Sequence, residues 1–164
     1  MAPSILQDID ESHLRQVASR YELDLVVLFG SYAKGRARPD SDVDLAVHTT
    51  RPDYGARDPD AEALWEMELF AALGEAVPAP EGIDLVMLNR AESTLQFQIA
   101  SDGIPLHKAD PLGFRRFRCL AARRYDDAAK FRRWGWEYLK RRCLDDRRPG
   151  RTRAHEAAQH AELP

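Results

Sequence analysis

A chain of 164 residues is long enough for one domain with a proper core, and its two cysteines, Cys119 and Cys143, form no metal or redox spacing. No apolar run reaches bilayer length and the opening MAPSILQDIDESHL lacks the basic and apolar parts of a signal peptide, so the expectation is a cytoplasmic protein with reduced thiols and no membrane contact. The net charge of −3 hides a division: residues 1–114 carry 9 Lys+Arg against 20 Asp+Glu, whereas residues 115–153 carry 15 against 5, which suits a partner-binding or phosphate-facing C-terminal part.

In chain order, Ser12 is expected to cap a first helix in which Leu14, Val17, Ala18 and Tyr21 recur at helical spacing. Asp24 opens a strand whose apolar run, Leu25 to Phe29, stops at Gly30-Ser31. Eleven residues after that serine a second run opens with two acids, Asp42 and Asp44, one residue apart. Side chains alternate along a strand, so the two acids share one face while Val43, Leu45 and Val47 take the other. Neighbouring carboxylates repel unless a positive charge lies between them, and hard cations such as Mg²⁺ take carboxylate oxygens while keeping places for substrate phosphates. Gly30 lets the backbone approach a ligand, and Ser31 to Lys34 can open a short helix whose free N–H groups suit a phosphate. This arrangement points to phosphoryl or nucleotidyl transfer. Lys34, Arg36 and Arg38 are candidates to steady a phosphate chain, and His48 reads as a strand-end histidine.

Thr49 to Arg57 contains Pro52 and Gly55 among polar residues and is expected to be a flexible loop beside the site. Asp58-Pro59 opens a helix to about Ala76, with Leu64, Met67, Phe70 and Ala71 as its core stripe. Pro78, Pro80 and Gly82 then deliver a third strand, Ile83 to Leu88, with Asp84 at its head. Ser93 to Ser101 reads as a short helix closed by Gly103, and Ile104 to His107 as an edge strand. From Phe114 to about Leu144, Phe117, Ala121, Ala128, Phe131 and Trp134 fit one or two amphipathic helices with arginines opposite. The class is therefore α/β (α+β): a small mixed sheet of three to four strands flanked by helices. A domain over residues 1–112 is expected to carry a helical extension, 113–146, packed on it, and a disordered tail, 147–164.

The order Gly-Ser, ten residues, Asp-x-Asp resembles the signature of the DNA polymerase β-like nucleotidyltransferases and is met by Gly30, Ser31, Asp42 and Asp44. The wider wording GSYAKGRARPDSDVDLAV is similar to the minimal nucleotidyltransferase (MNT) branch, best known for the antitoxins of HEPN/MNT toxin–antitoxin pairs. The likeness runs from about Leu25 to about Pro111. It implies the nucleotidyltransferase fold and a third carboxylate, matched by Asp84. It also implies two Mg²⁺ ions, with Asp42 and Asp44 holding both and Asp84 holding the second and taking the acceptor's proton. ATP would be the substrate, its β- and γ-phosphates at Gly30 and Ser31 with Lys34 and Arg36 nearby. The implied activity is transfer of AMP to a tyrosine of a HEPN ribonuclease toxin encoded next door. Two alternatives stay open: an antitoxin that neutralises by binding alone, and an adenylyltransferase of a small molecule such as an aminoglycoside. RNA contact through the Arg-rich C-terminal helices is the less favoured partner reading.

Competing motifs fail on the same letters. Gly30 to Gly35 has P-loop glycine spacing, but Arg36-Ala37 stands where Lys and Ser/Thr are required. No G-x-G-x-x-G, G-x-S-x-G or His-Glu-x-x-His occurs. The Arg-to-His spacings at Arg148–His155 and Arg153–His160, which loosely match HEPN ribonucleases, are read as chance.

Overall fold

The computed structural model describes residues 5–56 and 58–145; the expected tail lies outside them. A 3-10 turn at Ile5–Gln7 precedes α1 (Glu11–Arg20), β1 (Leu23–Leu28), α2 (Gly30–Ala33), β2 (Val43–Thr49), α3 (Pro59–Ala76) and β3 (Ile83–Met87). There follow α4 (Ser93–Asp102), β4 (Ile104–Lys108), α5 (Gly113–Asp127) and α6 (Ala129–Asp145). This is the mixed α/β class expected from the sequence. Two compact units part between Tyr125 and Asp126, within α5.

The four strands form one sheet in the order β3-β2-β1-β4. β1 runs antiparallel to both β2 and β4, while β2 and β3, joined through α3, run parallel. Alternation then sorts side chains to two faces. Val26, Leu28, Val43, Leu45 and Val47 pack with α1 and α3 around Leu14, Val17, Leu69 and Leu73. Leu25, Val27, Ala46 and Leu88 pack with Ile99 of α4, and Phe114 and Phe117 of α5 close over them. Both clusters are nearly water-free at the central strands, where Val26, Val27, Leu45 and Val47 are all 0% exposed. Each such side chain contributes about 1.5–3 kcal/mol relative to an exposed one. Buried Gln96 ties this second layer together: Nε2 donates to the carbonyls of Leu88 and Ala91, and Oε1 accepts from Arg124 of α5.

Three local expectations change. The cap of α1 is Asp10, not Ser12: its carboxylate accepts the N–H groups of Ser12 and His13 at 3.0 and 2.9 Å, which places Ser12 inside the first turn. The core stripe of α3 is Trp65, Leu69, Leu73 and Ala76. Leu64, Met67 and Phe70 are 53%, 63% and 44% exposed. The helix is apolar on both sides, so spacing alone fits two stripes; Trp65 decides, held against the rings of Tyr21 and Tyr54 at 5.8 Å and beneath the Arg51 guanidinium at 4.8 Å. The loop after β2 is not beside Asp42 and Asp44. It leaves the opposite end of that strand, where Thr50 N–H donates to Glu22 ahead of β1, and about 3.3 Å per residue separates the two ends by roughly 20 Å.

Candidate active site where β1 ends and β2 begins

The site starts from a backbone requirement. At the end of β1 the chain must turn sharply into α2, and Gly30 does so at φ +67°, a left-handed conformation that costs a side-chain-bearing residue energy. Closeness also forbids a side chain there: a β-carbon on Gly30 would stand 2.6 Å from Cγ of Asp44. The two are held in register by the Phe29 N–H, which donates to the Asp44 carbonyl at 2.9 Å. The excursion from Ser31 to β2 is closed by Ser41, whose N–H donates to Arg38 while its hydroxyl accepts the Arg38 N–H.

The acids converge through strand register. Asp42 lies just before β2 and is exposed, Asp44 is half-buried in its second position, and Asp84 is the residue directly across from Asp44 in β3. Parallel neighbours lie about 4.8 Å apart, so the Asp44 and Asp84 carboxylates share one face of the sheet side by side. Burial pushes the Asp44 carboxyl above its usual range, the charges of Asp84 and then Asp42 add to the rise, and the backbone N–H of Ser31 opposes it. Gly82, at φ +111°, starts β3 in place by accepting the Val43 N–H through its carbonyl.

These carboxylates supply only hard oxygen donors, in a like-charged group strained by proximity, and that chemistry fits a divalent cation such as Mg²⁺. Their side chains are not closed around a common point: among the described residues no three of His, Cys, Asp or Glu stand close enough together to hold an ion.

Ser31 lies in α2 beside Asp44. Lys34, which follows α2, forms a 2.8 Å ion pair with Asp102 of α4. Arg36 and Arg38 are exposed and make no ion pair among the described residues. His48 sits at the far end of β2, its Nδ1 2.6 Å from Asp24, and takes no part in the acidic group. Asp102 escaped the sequence reading, although it carried a signal. An acid in the last turn of a helix opposes the helix dipole, and here Lys34 compensates it. Cys119 and Cys143 are free thiols, and no helix among the described residues is long and apolar enough to cross a membrane.

Comparison with solved structures gives the same fold. A toxin–antitoxin crystal structure with AMP-PNP matches at TM-score 0.60 and 23% identity, over 80% of this chain and 99% of the other. A chain from the structure of tri-AMPylated Shewanella oneidensis HEPN toxin in complex with MNT antitoxin matches at 0.57 and 22%, over 82% and 98%. A toxin–antitoxin structure named MntA-HepT matches at 0.55 and 21%, over 79% and 96%. No curated protein matches. The family model described as "Polymerase beta, Nucleotidyltransferase" matches residues 12–112, a span that contains the Gly30-Ser31 turn and all three acids. The chain belongs to the polymerase β nucleotidyltransferase family.

Proposed function

We propose that this chain transfers AMP from ATP to a tyrosine hydroxyl of a HEPN ribonuclease toxin and acts in the cytoplasm as that toxin's antitoxin. The observation that carries the catalytic part is the register of the acids: Asp44 against Gly30 on one side and against Asp84 on the other. A chain that only bound its partner would gain nothing from keeping a like-charged pair beside a glycine turn. The antitoxin role is supported by likeness to the AMPylated and AMP-PNP-bound complexes, and the tyrosine acceptor by the resemblance of the Gly-Ser and Asp-x-Asp stretch to MNT antitoxins.

In this reading Gly30 and Ser31 receive the β- and γ-phosphates, with Lys34 and Arg36 supplying positive charge. Asp42 and Asp44 would hold two Mg²⁺ ions, the second with Asp84, and the ions would supply neutralisation of phosphate charge and a lowered pKa for the attacking hydroxyl. The acceptor oxygen forms a bond to the α-phosphorus as the bond from that phosphorus to the bridging oxygen breaks, and pyrophosphate leaves. Asp84 takes the hydroxyl proton and passes it to solvent. The modified tyrosine then carries a bulky nucleotide with a negative phosphate, which opposes RNA binding at a nearby ribonuclease site by sterics and repulsion.

Labelled ATP tests the reaction type. With the partner present, label at the α-phosphate is expected to enter protein and label at the γ-phosphate to leave with pyrophosphate. Transfer of the γ-label would replace this reading with a kinase, and α-label on a small molecule or an RNA end would keep the enzyme class and remove the antitoxin role.

A further inference from the structure

We infer that the outer side of α5 and the groove between it and α4 form the docking surface for an acidic amphipathic helix on the acceptor protein. The identity of that acceptor rests on the function proposed above.

α5 uses its two sides differently. On its inner side Arg124 binds Gln96 and is consumed in holding the helix to its own domain, while Arg116, though exposed, is paired with Asp110 just ahead of the helix. On its outer side Arg115, Arg118 and Arg123 are exposed and make no ion pair or side-chain hydrogen bond among the described residues. Leu112 and Leu120 lie among them, 53% and 45% exposed. Beside this stripe runs a groove of about 740 Å³, with Phe97 and Ala100 of α4 on one wall, Phe114 and Ala122 of α5 on the other, and Lys108, Arg115 and Arg118 among its lining. Among the described residues no acidic one lines it. A shallower groove of about 420 Å³ follows the other flank of the stripe, along Arg115, Cys119 and Arg123.

Unpaired cations around apolar walls call for a partner that is acidic and apolar at once. An amphipathic helix laid into a groove meets both demands, its apolar stripe against the walls and its carboxylates against the rim. The rings argue against single-stranded RNA, which needs open aromatic faces for stacking. Phe97 is stacked on Tyr125 at 4.4 Å and Phe114 on Phe117 at 6.2 Å, so each ring already has one side taken by a neighbour. Placement suits delivery of a substrate as well: α4 ends at Asp102, which holds Lys34 next to the Gly30-Ser31 turn.

The test uses the full chain with its alanine, glutamate or wild-type residues at positions 115 and 118, and the HEPN protein encoded beside it. Arg115→Glu/Arg118→Glu is expected to weaken binding by about tenfold or more in titration calorimetry, with the alanine pair intermediate. The wild-type complex is expected to weaken as salt rises, and the reversed pair to lose most of that dependence. KM for the protein acceptor should rise while affinity for AMP-PNP with Mg²⁺ stays unchanged. Unaltered binding by the reversed pair, absence of wild-type binding, or loss of binding with Met67→Glu on α3 instead would each overturn the proposal. So would arginine-dependent binding of fluorescein-labelled oligo(U) without binding of the protein. Arginine-dependent docking without AMP transfer would leave this surface standing and remove the transferase reading; transfer untouched by the reversal would do the opposite.

Discussion

Asp44 places its carboxyl carbon 2.6 Å from the point where a β-carbon on Gly30 would stand. Gly30→Ala therefore meets two obstacles, the clash and a left-handed φ of +67°, the second alone costing about 1–2 kcal/mol. The acid must shift for the variant to fold, and a displacement of about 1 Å at reacting groups costs roughly a hundredfold in rate. The expected outcome is a folded protein, by circular dichroism, with AMP transfer reduced about a hundredfold or more. Near-normal transfer would detach Asp44 from the chemistry.

A second prediction concerns the acids and pH. Burial and the charge of Asp84 raise the Asp44 carboxyl above its ordinary 3.8. The folded state then binds more protons than the unfolded state in the window just above that value, and the stability this gives is lost as pH rises through the raised pKa. At neutral pH the ionised group is a burden on the fold. Asp44→Asn is expected to be at least as stable as the wild type in urea at pH 7, with the advantage disappearing below about pH 4, while its transfer activity is lost. A clear loss of stability at pH 7 would contradict the like-charge account.

Lys34 and Asp102 pair at 2.8 Å with side chains 38% and 48% exposed, so the bond itself contributes only about 0–1 kcal/mol to stability. Its value lies in where it keeps Lys34. Lys34→Ala is expected to raise KM for ATP with little change in melting temperature. Asp102→Asn should raise it less, and Asp102→Glu should restore it. Equal KM values across the set would make the pair a surface contact only.

Asn89 makes the opposite case, a residue for the fold and not for the chemistry. Its side chain accepts the Thr49 N–H at 3.0 Å and donates to the Thr49 carbonyl at 2.9 Å, closing the end of β2 remote from the acids. Asn89→Ala is expected to lose about 1–3 kcal/mol in denaturant unfolding and to keep its rate per folded molecule at 25 °C. A selective loss of rate would tie this end of the sheet to catalysis.

Residues whose neighbours are close in sequence were legible before the fold was known. Alternation put Asp42 and Asp44 on one face, the proline and glycine positions bounded α3, β3 and α4, and an acid at the head of an apolar run gave Asp84 the register that β3 provides. What the letters hid depended on distant contacts. Leu64, Met67 and Phe70 share helical spacing with Trp65, Leu69 and Leu73, and only the rings of Tyr21 and Tyr54 decide which side is buried. The loop after β2 carried turn residues but no indication of which sheet end it leaves. Ser12 and Asp10 are both good caps, and two residues of helix start separate them. Lys34 looked like a phosphate ligand from its position alone; that Asp102 holds it required α4 to return across the sheet.

The central claim, that Asp44 serves transfer of AMP to a protein partner, is tested most directly by intact mass. The neighbouring HEPN protein is incubated with ATP, Mg²⁺ and either the wild-type chain or Asp44→Asn, then weighed, fragmented and assayed for ribonuclease activity. The account predicts one or more AMP units on a tyrosine and loss of ribonuclease activity with the wild type, and neither the mass increase nor lasting inactivation after the antitoxin is removed with Asp44→Asn. Equal neutralisation by both forms, with no AMP on the partner, would contradict it.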